Sequence, residues 1–284
     1  MTVEIHPHTR MGSVALVVSD LARSLDYYEE HIGLRGLDRQ AGRADLGVMG
    51  RTLLELHEQP GAKPSMDGRT GLYHFALLVP SRPDLGRVLR HFASARTPLG
   101  GASDHGVSEA LYLSDPDGHG IEVYRDRPRP EWPFANGDLQ MVLDPLDAQG
   151  IVASADDDPA WRGLPDGTVM GHMHLRVAHL RAAETFYVDT LGFALMQRYG
   201  GQASFVSAGG YHHHLGFNVW GGVGAPPPED AARMLWYEIV LPDADALAEV
   251  LRRLEQAGTP AHVRDDRWWV NDPARNGVAL VAAG

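Results

Sequence analysis

The sequence predicts an α+β protein built from four βαβββ modules in two tandem domains. Two internal repeats and the element order within them carry this prediction. The first repeat runs at an offset of 159, pairing Leu21 with Leu180, Tyr28 with Tyr187 and Gly33 with Gly192. Self-similarity at fixed spacing marks duplicated supersecondary units. The second relates Tyr73-His74-Phe75-Ala76-Leu77-Leu78-Val79-Pro80 to Trp236-Tyr237-Glu238-Ile239-Val240-Leu241-Pro242. Each copy reads as a strand, a helix and then several strands.

Taken in order, Val14-Ala15-Leu16-Val17-Val18 is an apolar strand run, and Asp20 starts an amphipathic helix that ends near Gly33. The second module opens at Tyr73 and closes on the strand carrying Glu122. The third opens with His172-Met173-His174-Leu175-Arg176-Val177 and continues through a helix containing Phe186-Tyr187 to Leu191-Gly192-Phe193. The fourth opens at Trp236, has a helix over residues 244–258 and closes with Asp272-Pro273-Ala274-Arg275-Asn276-Gly277-Val278-Ala279. Pro, Asp and Gly enrich residues 127–168, which read as a linker between an N-terminal domain, 9–126, and a C-terminal domain, 169–283.

Composition narrows the chemistry. A chain of 284 residues is long enough for two cores, and 44% hydrophobic with 22% charged residues is ordinary for a globular protein. A formal charge of -12 argues against nucleic-acid partners and anionic membrane surfaces. No apolar run is long enough for a membrane span, and the polar start does not read as a signal peptide, so a cytoplasmic location is expected. Cys is absent, so any metal must be held by His, Asp or Glu, which suits Fe(II), Mn(II) or Zn(II).

The most specific stretch runs from Asp104 to Glu122. Asp115-Pro116-Asp117-Gly118 is a turn former, because Pro presets φ and Gly accepts a positive one. It joins two apolar runs, so Tyr112 and Glu122 fall on adjacent antiparallel strands. Glu122 lies between Ile121 and Val123 and is expected to face inward, where an unpartnered carboxylate is costly. A metal ion is the expected partner; an ion pair with Arg125, Arg127 or Arg129 is the plainer alternative.

His105, Leu111, Tyr112, Asp115, Pro116, Gly118 and Glu122 together resemble the signature of the type I extradiol ring-cleavage dioxygenases, in the vicinal-oxygen-chelate superfamily. Ser103 departs from that pattern, which prefers Gly, Asn, Thr, Ile or Val. The resemblance spans nearly the whole chain and is to the catechol 2,3-dioxygenase-like group with tandem domains. It implies repeated βαβββ modules, a mononuclear Fe(II) held by two His and one Glu, a catecholic substrate, O2 and a homo-oligomer; Mn(II) accepts the same ligands.

In that family one His opens an odd module, another opens an even module, and the Glu lies on the last strand of the even one. Here the opening strands carry Ser13, His74, His172 and Trp236 in turn, and the closing strands of modules two and four carry Glu122 and Ala279. Two arrangements follow. Modules two and three could fold together and assemble His74, Glu122 and His172, leaving modules one and four metal-free. Alternatively modules one and two could pair, with Glu55 joining His74 and Glu122 in a glyoxalase I-like set; otherwise Glu55 is a surface residue on an edge strand.

The resemblance also implies roles outside the ligand set. Alignment on Phe205 and on Leu215-Gly216-Phe217 puts His213 at the family's acid–base histidine, worth about 10² to 10⁴ in rate. Strand alternation would turn His212 and His214 the other way. Tyr112 would hydrogen-bond the substrate oxygen, and His105 would bond oxygen species or substrate. Tyr73, Phe75, Phe217 and Trp220 could line an apolar slot for the ring. His174 and His179 are expected outside the site, and Trp236, Trp268 and Trp269 in the core of module four. The rival functions are a glyoxalase-type isomerase or lyase using Ni(II) or Zn(II), and a metal-free binding protein.

Overall fold

The computed structural model describes residues 4–66, 68–155, 160–221 and 224–283. Module one comprises β1 (Arg10–Val18), α1 (Leu21–Asp26), β2 (Arg35–Gln40), β3 (Arg43–Val48) and β4 (Arg51–Glu58). Module two comprises β5 (Gly71–Leu78), α2 (Arg82–Ser94), β6 (Gly101–Asp104), β7 (Ser108–Ser114) and β8 (Gly120–Asp126). The connecting stretch holds a short hairpin, β9 (Phe134–Ala135) with β10 (Asp138–Leu139), and α3 (Ala148–Ser154). Module three is β11 (Val169–Arg176), α4 (Leu180–Glu184), β12 (Ala194–Tyr199), β13 (Ala203–Ser207) and β14 (Leu215–Asn218). Module four is β15 (Arg233–Leu241), α5 (Ala244–Gln256), β16 (His262–Arg264), β17 (Arg267–Asn271) and β18 (Gly277–Ala282). Among the described residues no helix is long and apolar enough to cross a membrane.

Local chemistry explains the repeated elements. Asp20 and Asp243 cap α1 and α5 by accepting the amides of Arg23 and Ala246, and Ser81 does the same for α2. α1 and α4 each widen into a π-helical turn, Tyr27–Ile32 and Thr185–Thr190. The chain leaves these turns through Gly33 at φ 86° and Gly192 at φ 89°, a left-handed backbone that explains why both repeats carry glycine there. Asp115 closes the predicted turn by accepting the amides of Asp117 and His119, and its other oxygen accepts from the buried Tyr28 hydroxyl at 2.9 Å. Asp272 repeats the device with Ala274, Asn276 and Tyr187.

Each of the two eight-stranded sheets draws on both halves of the chain. One has the order β16-β17-β18-β15-β1-β4-β3-β2, joining modules four and one. The other has the order β12-β13-β14-β11-β5-β8-β7-β6, joining modules three and two. Within each module the first strand runs parallel to the last, and the two modules meet through antiparallel first strands, β1 with β15 and β5 with β11. Alternate side chains such as Val14, Leu16, Phe75, Leu77, Met173 and Leu175 enter one continuous core with the helices.

Strand register aligns the opposite faces. In the second sheet Tyr112, Glu122, Ala76 and His172 are successive cross-strand partners, and a neighbouring row runs His74, His174, Gly216 and Phe205. The equivalent row of the first sheet reads Asp45, Glu55, Ala15 and Trp236. The carboxylate and the small central alanine recur; the histidine does not.

Candidate metal centre

Ala76 leaves room above the middle of its row, and the Glu122 carboxylate occupies that region between two imidazoles. Glu122 Oε2 lies 3.0 Å from His74 Nε2 and 3.1 Å from His172 Nε2. One ligand atom from each residue falls within 4.8 Å of the other two, and all three residues are buried. The contact to His172 is a hydrogen bond, whereas His74 Nε2 lies close to the carboxylate without hydrogen-bond alignment and has no other partner among the described residues. His172 Nδ1 is likewise buried without a hydrogen bond to a described residue.

This set fits a divalent metal ion. It offers two nitrogens and one carboxylate oxygen, the donor class of mononuclear non-haem iron sites. Burial pushes the Glu122 carboxyl upward, but His172 and His74 outweigh it and hold the group well below its usual range. Burial lowers His74 despite the neighbouring carboxylate, so a neutral ring with an available lone pair is favoured. The plainer expectation for Glu122 is not met: Arg125 and Arg127 turn to Glu109 instead, also buried.

A cavity of about 480 Å³ opens above this cluster, with Leu113, Ile121, Phe205 and Trp220 among its apolar walls. His105, Tyr112 and His213 line it too. Tyr112 Oη is 2.6 Å from His105 Nε2, and burial with the nearby Glu122 charge raises its pKa well above the usual value, keeping the phenol protonated. His213 lies with its ring centroid 4.1 Å from that of His172, and burial drives its pKa well down. From the connecting stretch, Met141, Val142 and Leu143 form one wall of the mouth. The Gln197 side chain holds that wall by accepting the Met141 amide at 2.6 Å and donating to its carbonyl at 3.2 Å.

Several expectations need correction. Glu55 is neither a ligand nor an edge-strand surface residue: it is buried on β4, between β1 and β3, with Arg43 and Arg267 on its carboxylate. Phe75 and Phe217 belong to the core rather than the cavity, because alternation turns them away, whereas Tyr73 and Trp220 do line it. Of the histidine triplet only His213 lines the cavity, as expected, although the three precede β14, which begins at Leu215. His174 was expected outside the site but lines the cavity, its ring centroid 4.9 Å from that of His74. The register that opposes His174 to His74 brings it there. The His-x-His spacing on β11 put His172 and His174 on one face and was the available signal.

Fold and site together define the class. The chain belongs to the glyoxalase/bleomycin resistance protein/dioxygenase superfamily, whose family model matches residues 10–123 and 169–279. Within it, the chain is a catechol 2,3-dioxygenase-like enzyme: it is 42% identical over 274 residues to catechol-2,3-dioxygenase of Bacillus subtilis (strain 168), covering 95% of each chain. Solved structures agree on the fold. Glyoxalase I from Zea mays superposes with TM-score 0.56 at 18% identity, over 96% of this chain and 92% of that one. The cppA protein from Streptococcus pneumoniae TIGR4 gives 0.55 at 12% identity over 99% of both.

Proposed function

We propose that this enzyme opens a catechol ring beside its two hydroxyls with O2, at an Fe(II) held by His74, Glu122 and His172, with Mn(II) as the alternative ion. The convergence of those three side chains at the floor of a largely apolar cavity carries the proposal. The relative's name supplies the substrate class. The ring carbon–carbon bond breaks, both oxygen atoms enter the product, and the ring supplies the electrons, so no external reductant is needed. When bound, the ion would acidify a catechol hydroxyl and bring substrate and O2 together.

The chain's own groups do the remaining work. His213, kept neutral by burial, accepts a catechol proton at its free ring nitrogen. Tyr112, its proton held by His105, accepts a hydrogen bond from a substrate hydroxyl at its oxygen. Tyr73 and Trp220 stand edge to face with ring centroids 5.4 Å apart and offer an aromatic wall to the substrate ring.

The test is anaerobic reconstitution with Fe(II), addition of catechol and admission of air. The expected result is a yellow ring-opened product whose near-visible band grows only with both iron and O2. A chain that carries one iron but neither consumes O2 nor colours with catechol and methylcatechols would overturn the proposal.

A further inference from the structure

Behind His213 lies a chain of hydrogen bonds that ends on a carboxylate. Asp126 Oδ1 is 2.9 Å from His212 Nε2, and His212 Nδ1 is 2.8 Å from His213 Nδ1. A carboxylate only accepts, so His212 donates from Nε2, and a neutral ring then has a lone pair on Nδ1. With His212 neutral, His213 makes this contact by donating its own Nδ1–H, which leaves the proton off Nε2. Among the described residues nothing hydrogen-bonds His213 Nε2, and the ring lines the cavity.

The second support of Asp126 points the same way. Tyr211 Oη donates to Asp126 Oδ1 at 3.1 Å and lies 2.8 Å from Tyr124 Oη. Asp126 Oδ1 therefore accepts from two donors at once, Tyr211 and His212. His212 is fully buried while the Asp126 side chain is 27% exposed, so the chain reaches from the buried site to solvent.

We propose that His212 and Asp126 are positioning residues for His213: they fix its ring proton on Nδ1 and leave the Nε2 lone pair for the cavity. The inference rests on the extradiol reading only in its kinetic arm, because the tautomer can be read without turnover. A histidine held in the wrong tautomer by loss of its carboxylate partner is a known way to disable a base while keeping geometry.

The experiment uses the full-length chain, ¹⁵N-labelled at histidine and purified without added metal, with the His213 signals assigned through His213→Ala. The expected spectrum shows His213 protonated on Nδ1 and bare on Nε2. His212→Leu removes the acceptor and should move the proton to Nε2. His212→Asn, whose Oδ1 stands where Nδ1 stood, should retain the wild-type pattern.

In the iron-loaded enzyme His212→Leu should lower kcat with catechol by about 10² or more, with KM within a few-fold, and His212→Asn should recover most of the loss. The His212→Leu/His213→Ala double variant should be no slower than His213→Ala alone, since the two act through one group. A wild-type His213 protonated on Nε2, or equal losses from His212→Leu with and without His213, would overturn the inference. If wild type fails to turn over catechol while the tautomers behave as expected, the reaction class falls and the positioning role stands.

Discussion

His105 Nε2 accepts a 2.6 Å hydrogen bond from Tyr112 Oη, and its other nitrogen decides the direction. His105 Nδ1 lies 2.9 Å from the Val142 carbonyl, which can only accept, so the ring proton sits on Nδ1. Tyr112 is therefore the donor, its oxygen aimed by a histidine anchored to the connecting stretch. Tyr112→Phe removes the hydroxyl and keeps the ring. With its proton given to His105, the Tyr112 oxygen can only accept from a substrate hydroxyl, so the expected effect is a loss in kcat of about 3- to 10-fold, the range of one neutral hydrogen bond. Iron content should stay at one per chain, and His105→Ala should add little once Tyr112 is Phe. Full additivity in that cycle would show that the two residues act separately.

The cluster of His74, Glu122 and His172 makes a prediction that needs no substrate. Ligand binding to the native state stabilises by mass action, by about 2.7 kcal/mol at a hundred dissociation constants of free ion. Wild type titrated anaerobically with Fe(II) should show that gain in urea unfolding. His172→Ala should lose both the gain and the bound iron. Retention of one iron per chain in His172→Ala would break the pairing of modules two and three as the metal-holding unit.

Much of this arrangement is legible in the sequence because it rests on local or repeated signals. Gly33 and Gly192 mark the same left-handed exit in two modules, and Asp115 and Asp272 open the same turn. The uneven distribution of His and Glu among module starts and ends already pointed to modules two and three. The remainder depends on register and burial, which a period-two pattern does not encode. His174 enters the site through its alignment with His74 across β5 and β11. The partner of His212 is Asp126, 86 residues away, and the triplet sits just before a strand rather than in one.

Glu55 tests what became of the second row. It holds the place of Glu122, with Ala15 beside it and Trp236 where the other sheet has His172. Arg43 at 2.7 Å and Arg267 at 3.2 Å neutralise the carboxylate, and Arg267 stacks over Trp236 at 4.6 Å. Guanidinium groups thus stand where a cation would otherwise be needed. Glu55→Gln should leave iron content and catechol turnover at wild-type values while lowering unfolding free energy by about 1–2 kcal/mol. Elemental analysis showing iron below half an equivalent in Glu55→Gln would revive the glyoxalase-type ligand set.

Acid should destabilise the fold through its buried histidines before its depressed carboxylates protonate. His214 accepts the Ala208 amide at Nδ1, and its pKa falls from the usual 6.5 to about 3, through burial first and then the charges of His212, His172 and Arg129. Because the folded value lies below the unfolded one, only the unfolded chain takes up this proton between those limits. Stability is therefore complete above 6.5 and declines as pH falls through it, by about 2 kcal/mol per such group at pH 5. His174 and His213 are lowered in the same direction, again chiefly by burial, and add to the decline. The depressed carboxyls of Glu122 and Asp104 lose their contribution only at lower pH, and those of Glu238 and Asp272, raised by burial, act alike in wild type and a His214 variant, so comparing the two from pH 7.5 to 5 isolates His214. His214→Asn keeps an acceptor for Ala208 and removes the titration. Its urea midpoints should fall less than those of wild type over that interval, by a difference worth about 2 kcal/mol. Equal falls in the two proteins would mean that His214 is protonated in the native state as readily as in the unfolded one.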